Sequence, residues 1–136
     1  MDNCIFCALA EKRLQPALVM ENETCLAFLD ANPIAPYHTL VIPKQHCVGI
    51  LDVPADTLAD VTAMIHQVCQ LYSEKLGIDS FQIFNNTGPN SLQTVFHLHF
   101  HILPRFENDA ISFNVTPMPE LVEKYPEMLE KLALNS

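Results

Sequence analysis

The sequence predicts an α+β fold: an antiparallel sheet with one long helix and a C-terminal helix packed on one side. Three observations lead there. Short apolar segments joined by short connections occupy residues 17–42 and 81–103, and such connections favour antiparallel pairing. Between these two blocks lies a stretch with clear helical periodicity. A second helical pattern closes the chain.

Taken in order, Ile5–Ala10 reads as a short apolar helix or turn. Ala17–Met20 and Thr24–Leu29 read as strands. Asn32–Tyr37 holds Pro33 and Pro36 and must be a loop. Thr39–Ile42 is a strand that Pro43 stops. The long helix runs from about Ala55 to Leu76. There Leu58, Val61, Ile65, Val68, Tyr72 and Leu76 recur at spacings of three and four, which puts them on one face. Pro54 before it and Gly77 after it are the expected punctuation. Phe81–Phe84 is a strand, Asn85–Asn90 a turn and Thr94–Leu103 a long strand. Pro119 opens the last helix, which reaches about Leu132 with Leu121, Tyr125, Met128 and Leu132 on one face. No repeat, low-complexity tract or Gly/Ser linker interrupts the pattern.

A chain of 136 residues, 49% apolar and 17% charged, can bury the core of one domain. Its formal net charge of -9 removes the basic footprint of polynucleotide binding, though a few local donors can still hold one phosphate. No window approaches the roughly 18 apolar residues of a membrane span. The opening MDNCIFCALAEKR does not read as a signal peptide. Cysteines at 4, 7, 25, 47 and 69 are odd in number and lack framework spacing, which argues against disulfides and for a reducing cytoplasm.

The chemistry concentrates in NTGPNSLQTVFHLHFHILPR, Asn86–Arg105. Alternate residues of a strand share a face, so His97, His99 and His101 point one way, at spacings of about 7 Å. Leu98, Phe100 and Ile102 point the other way, into the core. The residues alone leave three readings open: a His-rich solvent-facing strand, a metal site of neutral imidazoles, or a nucleophile with acid–base partners. Cys4-x2-Cys7 has zinc-ligand spacing and needs two further ligands; the plainer reading is two free thiols.

The run His-Leu-His-Phe-His-Ile-Leu at 97–103 resembles the signature of the histidine triad (HIT) family. Asn86, Gln93-Thr94-Val95, Pro104-Arg105 and LAFLDANPIAPYHTLVIPKQH at 26–46 are similar to the family pattern as well. CIFC at 4–7 resembles its zinc-containing bacterial members, which are related to nucleoside phosphoramidate hydrolases. The resemblance covers about residues 3–106. It marks 1–106 as a histidine triad domain and leaves 107–136 as a C-terminal extension packed on it. One departure stands out: the family usually has Ala-Gly where this chain has Ser91-Leu92. A Gly there would let backbone approach phosphate closely.

The resemblance implies an enzyme, a nucleotide hydrolase or nucleotidyl transferase. It would cleave nucleoside-5′-phosphoryl bonds of phosphoramidates or dinucleoside polyphosphates. The alternative is a nucleotide-binding regulatory partner with little turnover. It makes His99 the nucleophile, its second nitrogen held by a backbone carbonyl, and a nucleotidyl-His99 the intermediate. His101 and His38 lie beside the α-phosphate for oxyanion contact and proton delivery. Gln93, Thr94 and Asn86 contact phosphate or leaving group, Asp30 accepts the ribose hydroxyls, and Phe6, Leu9, Phe28 and Leu40 sandwich a purine. Strand-edge polarity, a turn-starting Asp and core packing are the plainer roles for these residues. The resemblance also implies structural zinc on Cys4, Cys7, His46 and His97. The expected partners are a purine mononucleotide derivative and a second copy in a symmetric homodimer, with no nucleic acid polymer and no membrane. Cys25, Cys47 and Cys69 read as packing residues, and His66 as a surface or interface residue.

Overall fold

Alternation along the strands divides their side chains between two faces, and both faces are covered. The computed structural model describes residues 3–133. It orders α1 (Ile5–Ala10), β1 (Leu18–Glu21), β2 (Cys25–Leu29), β3 (Thr39–Pro43), α2 (Ala55–Leu76), β4 (Phe81–Asn85), β5 (Phe100–Pro104) and α3 (Tyr125–Leu132). The sheet runs β1-β2-β3-β5-β4, every pair antiparallel. The fold class is the one the sequence predicts.

The expectation of helices on one side is corrected. Cys25, Ala27, Val41 and Ile102 pack against Val61, Met64, Ile65, Val68 and Tyr72 of α2. Their alternates Leu26, Phe28, Leu40 and Ile42 pack against Phe6 and Leu9 of α1 on the opposite face. That is why β2 and β3 read as unbroken apolar runs rather than alternating ones. Helix α2 ends at Gly77, whose φ of 69° is left-handed and whose N–H caps the last turn. Met64, fully buried, belongs to the α2 core although the sequence pattern passed over it, and Leu76 is exposed.

The largest departure is the strand expected over Thr94–Leu103. Only Phe100–Pro104 pairs, and residues 95–97 form a bend. Continuing the ladder past Val41↔Phe100 would bring Pro43 into register, and proline has no N–H to give. The Leu98 N–H instead bonds the Cys47 carbonyl at 2.7 Å. The histidine face is also not solvent-facing: His97 and His99 are buried.

The C-terminal helix is broken as well. Pro119–Lys124 is a 3-10 turn, and α3 begins only at Tyr125. Pro126 has no N–H for the Val122 carbonyl, so one α-helix cannot run through from Pro119. The extension is tied down as far as Phe113. Arg105 grips both carboxylate oxygens of Asp109 at 2.8 Å and the Ile111 carbonyl at 3.0 Å. It also bonds Gln82 of β4, while Phe113 meets Phe84 edge-on at 6.4 Å. Helix α3 buries none of its residues. Among the described residues no helix is long and apolar enough to cross a membrane.

Candidate active site and metal centre

The register sets Phe28 opposite Leu40, Leu40 opposite His101 and His101 opposite Phe84. His101 therefore stands on the α1 face, stacked on Phe84 at 4.5 Å with 14° between planes. Between α1 and the sheet lies a cavity of about 640 Å³. Phe6, Leu9, Phe28 and Leu40 are part of its apolar lining, and Asp30, Asn86, Thr94, His99 and His101 of its polar lining. Nine of the sequence-derived substrate and catalytic residues thus share one cavity, while His38 and Gln93 stand behind its wall.

Backbone groups fix which ring nitrogen of His99 and of His38 carries a proton, because a carbonyl only accepts and an N–H only donates. His99 Nδ1 lies 2.8 Å from the His97 carbonyl and must carry the proton. Its Nε2 lone pair is left free at the cavity wall. The Ile34 N–H donates to His38 Nδ1 at 3.3 Å, which puts the His38 proton on Nε2. That proton points at His101 Nδ1, 3.0 Å away, with Asp30 Oδ2 at 3.5 Å. His101 in turn keeps its own proton on Nε2. Burial lowers His38, against the pull of Asp30. Burial first, then His99 and His38, lowers His101 to about 4. Both rings are neutral at pH 7.

The remaining residues divide. Asp30 Oδ1 accepts the Asn32 N–H at 2.8 Å, so this carboxylate braces its own turn and also lines the cavity. Gln93 does not reach the cavity. Its Nε2 donates to the Val48 and Val95 carbonyls at 2.7 and 3.1 Å, and its Oε1 accepts the Gly88 N–H at 2.9 Å. Its donors are used in holding the loop together. Leu92 occupies the left-handed conformation, φ 65°, and is 81% exposed on the cavity rim. The turn survives the loss of glycine at a backbone cost of about 1–2 kcal/mol. Two residues were missed from the sequence. Asn85 donates to the His99 carbonyl at 2.9 Å, and Phe84 stacks on His101. Nothing in the sequence separates Asn85 from its neighbour Asn86, and Phe84 is legible only from the strand register.

Cys4, Cys7, His46 and His97 converge as the notional zinc set requires, their ligand atoms all within 4.8 Å of one another. His97 Nδ1 lies 3.3 Å from Cys4 Sγ, 3.4 Å from Cys7 Sγ and 3.2 Å from His46 Nδ1. Cys7 Sγ is 3.3 Å from His46 Nδ1. Such separations suit a tetrahedral ion with ligand bonds of about 2.0–2.3 Å. His97 Nε2 donates to the Pro43 carbonyl at 2.8 Å, leaving Nδ1 bare for a metal. Burial and the Cys4 thiol push Cys7 up to about 11, a thiol that a divalent cation would ionise. The donor set fits zinc.

The HIT domain family matches residues 11–108. A HIT-like protein of Methanocaldococcus jannaschii is 41% identical over 107 residues, 79% of this chain and 82% of its own. An adenylylsulfatase of Arabidopsis thaliana is 31% identical over 110 residues, 81% of this chain and 56% of its own. A zinc-bound histidine triad protein from Mycobacterium smegmatis superposes with a TM-score of 0.77 at 33% identity. That superposition covers 97% of this chain and 99% of the other.

The depressed His101 ties stability to pH. A histidine with a folded pKa of about 4 against an ordinary 6.5 takes up a proton on unfolding, so its contribution is complete above 6.5 and is lost as pH falls toward 4. Urea unfolding should show a loss of stability over that interval, on the order of 3 kcal/mol from this group. His101→Asn should show a shallower slope; equal slopes in the two chains would refute the assignment.

Proposed function

The chain belongs to the HIT domain family, and on that premise we propose that it is a nucleotide hydrolase or nucleotidyl transferase working through a nucleotidyl-His99 intermediate. The observation that carries this reading is the 2.8 Å bond from His99 Nδ1–H to the His97 carbonyl. It turns the imidazole so that Nε2 faces a cavity lined by both apolar and polar side chains.

His99 Nε2 attacks the α-phosphorus of a purine nucleoside-5′-phosphoryl substrate. The bond to the leaving group breaks, and its electron pair departs with that group. A bound phosphate anion favours one extra proton on the His38–His101 pair, and the leaving group takes that proton. Water then attacks phosphorus, returns a proton to the pair and frees His99, giving a nucleoside monophosphate. Thr94 and Asn86 serve the phosphate, Asp30 the ribose, and Phe6, Leu9, Phe28 and Leu40 the base. Gln93 acts as a positioning residue for the phosphate loop. Cys4, Cys7, His46 and His97 would hold zinc, which supplies a cross-link between α1 and the segment before β5.

The protein forms a symmetric dimer through α2 and the β4 edge. Support comes from Ile83 on that edge strand, 48% exposed. Sedimentation velocity at micromolar concentration should return about twice 15.3 kDa; a fully active monomer would remove the dimer.

For the nucleophile, His99→Ala should lower kcat on the order of 10⁴-fold or more while nucleoside monophosphate still binds. Mass spectrometry of acid-labile adducts should find nucleotide on His99, and an adduct on His97 or His101 would overturn the assignment. Chelation should lower the melting temperature yet leave turnover in chain that is still folded. Complete loss of turnover from folded protein, restored by zinc, would make the metal catalytic instead.

A further inference from the structure

Two phenylalanines stand in line behind His101. Phe84 lies directly opposite it across the β4–β5 ladder and stacks on the imidazole at 4.5 Å with 14° between planes. Phe113, from the segment after β5, meets Phe84 edge-on at 6.4 Å and 73°. The His38 Nε2–H bonds His101 Nδ1 at 3.0 Å. A bond at one ring atom restrains a point, whereas contact along the face of Phe84 restrains the plane. Together they set the direction of the Nε2–H that His101 has left over at the cavity it lines.

The segment that carries Phe113 is fastened to the same strand. Arg105, the first residue after β5, bonds Gln82, which shares a face of β4 with Phe84. It also holds both Asp109 carboxylate oxygens at 2.8 Å and the Ile111 carbonyl at 3.0 Å. The Asp109 carboxylate takes the Phe106 and Ile111 N–H groups as well, at 3.0 and 3.3 Å. The Arg105 guanidinium stands 5.7 Å from the centre of the Phe113 ring. The apolar cluster under α1 takes its sheet residues from β2 and β3. On β4 the ring laid against Phe84 is that of Phe113, which stays 47% exposed. A ring left half in water contributes little by burial, so its effect lies in what it touches.

Resting on the reading of His38 and His101 as the pair that gives the leaving group its proton, we propose that Arg105–Phe113 is a positioning strap for that transfer. Phe113 bears on Phe84, Phe84 bears on His101, and the imidazole is held with its Nε2–H toward the leaving atom. Neither phenylalanine lines the cavity, so both act through the imidazole. His99 Nε2 forms a bond to phosphorus and the bond to the leaving atom breaks. That atom keeps the electron pair and takes one proton from the His38–His101 pair. An amine needs the proton in order to leave, and a stable phenolate does not. The strap therefore matters in proportion to the basicity of the leaving group.

The test uses the full chain with adenosine 5′-phosphoramidate, which releases ammonia, and adenosine 5′-(4-nitrophenyl phosphate), which releases nitrophenolate. The ratio kcat/KM reports the step in which the leaving group departs. Phe84→Leu keeps apolar bulk and loses the flat face. It should lower kcat/KM about tenfold on the phosphoramidate and less than about twofold on the nitrophenyl ester, a fraction of what a general acid contributes. Phe113→Leu should show the same split at about threefold. Phe84→Tyr restores the face and should match wild type. Inhibition by adenosine monophosphate should be equal in all four chains. Equal losses on the two substrates, or inhibition that weakens in step with them, would make the rings ordinary packing and overturn the strap, leaving nucleotidyl transfer intact. The absence of a split in Phe113→Leu, at a half-exposed site, overturns the strap even if Phe84→Leu does not fold. No turnover of either substrate by wild type, with no adduct on His99, would remove both readings.

Discussion

The His97 carbonyl is the group on which the rest of the site depends. It lies between two imidazoles and accepts one proton, from His99. His99 donates to it and so turns its other nitrogen toward the cavity. The ring of His97 donates to Pro43 and so offers its opposite nitrogen to the metal cluster. A regular strand would spend these carbonyls on its ladder. The backbone before Phe100 therefore leaves the sheet, and its groups are met by Cys47, Asn85 and the His99 ring instead. Burial of neutral imidazoles is tolerable here because each has one partner of fixed polarity.

Helix α1 binds this arrangement to the nucleotide cavity. In six residues it turns Cys7 toward His46 and His97 and presents Phe6 and Leu9 to the cavity. Cys4, just ahead of it, both caps the helix through the Cys7 N–H and stands beside His97. Phe6 lies edge-on to His97 and His99, at 5.9 and 5.2 Å. The apolar cavity wall, the Cys–His cluster and His99 are thus joined through a single turn of helix.

What the sequence revealed divides by the range of the physics involved. Helix α2 was legible because its periodicity is local and strong, and its capping glycine is local too. The apolar segments were legible as strands, but not that both their faces are buried, since that depends on where α1 lands. The start of β5 was misjudged because alternation continues through residues 94–99 while pairing stops at Pro43, a contact 54 residues away. The site residues were legible through a family pattern. Their finer roles were not: Gln93 has the composition of a phosphate donor, and only the three backbone groups around it show that its amide is occupied. The break at Pro126 could have been read from the sequence, since proline inside a helical pattern interrupts it by rule.

The separation of 93 positions between Cys4 and His97 also sets an order of assembly. Strands β1, β2 and β3 form a meander of near neighbours, and α2 packs on β2 and β3, so this half of the sheet can form from a growing chain. Its inner border is β3, an apolar edge that stays open until β5 is made and slides between β3 and β4. On the ribosome that edge waits a few seconds at ordinary elongation rates. During that wait the nascent chain presents the kind of unpaired strand that chaperones shield. The cluster of Cys4, Cys7, His46 and His97, with residues from both ends of this history, can assemble only after the segment before β5 has been made.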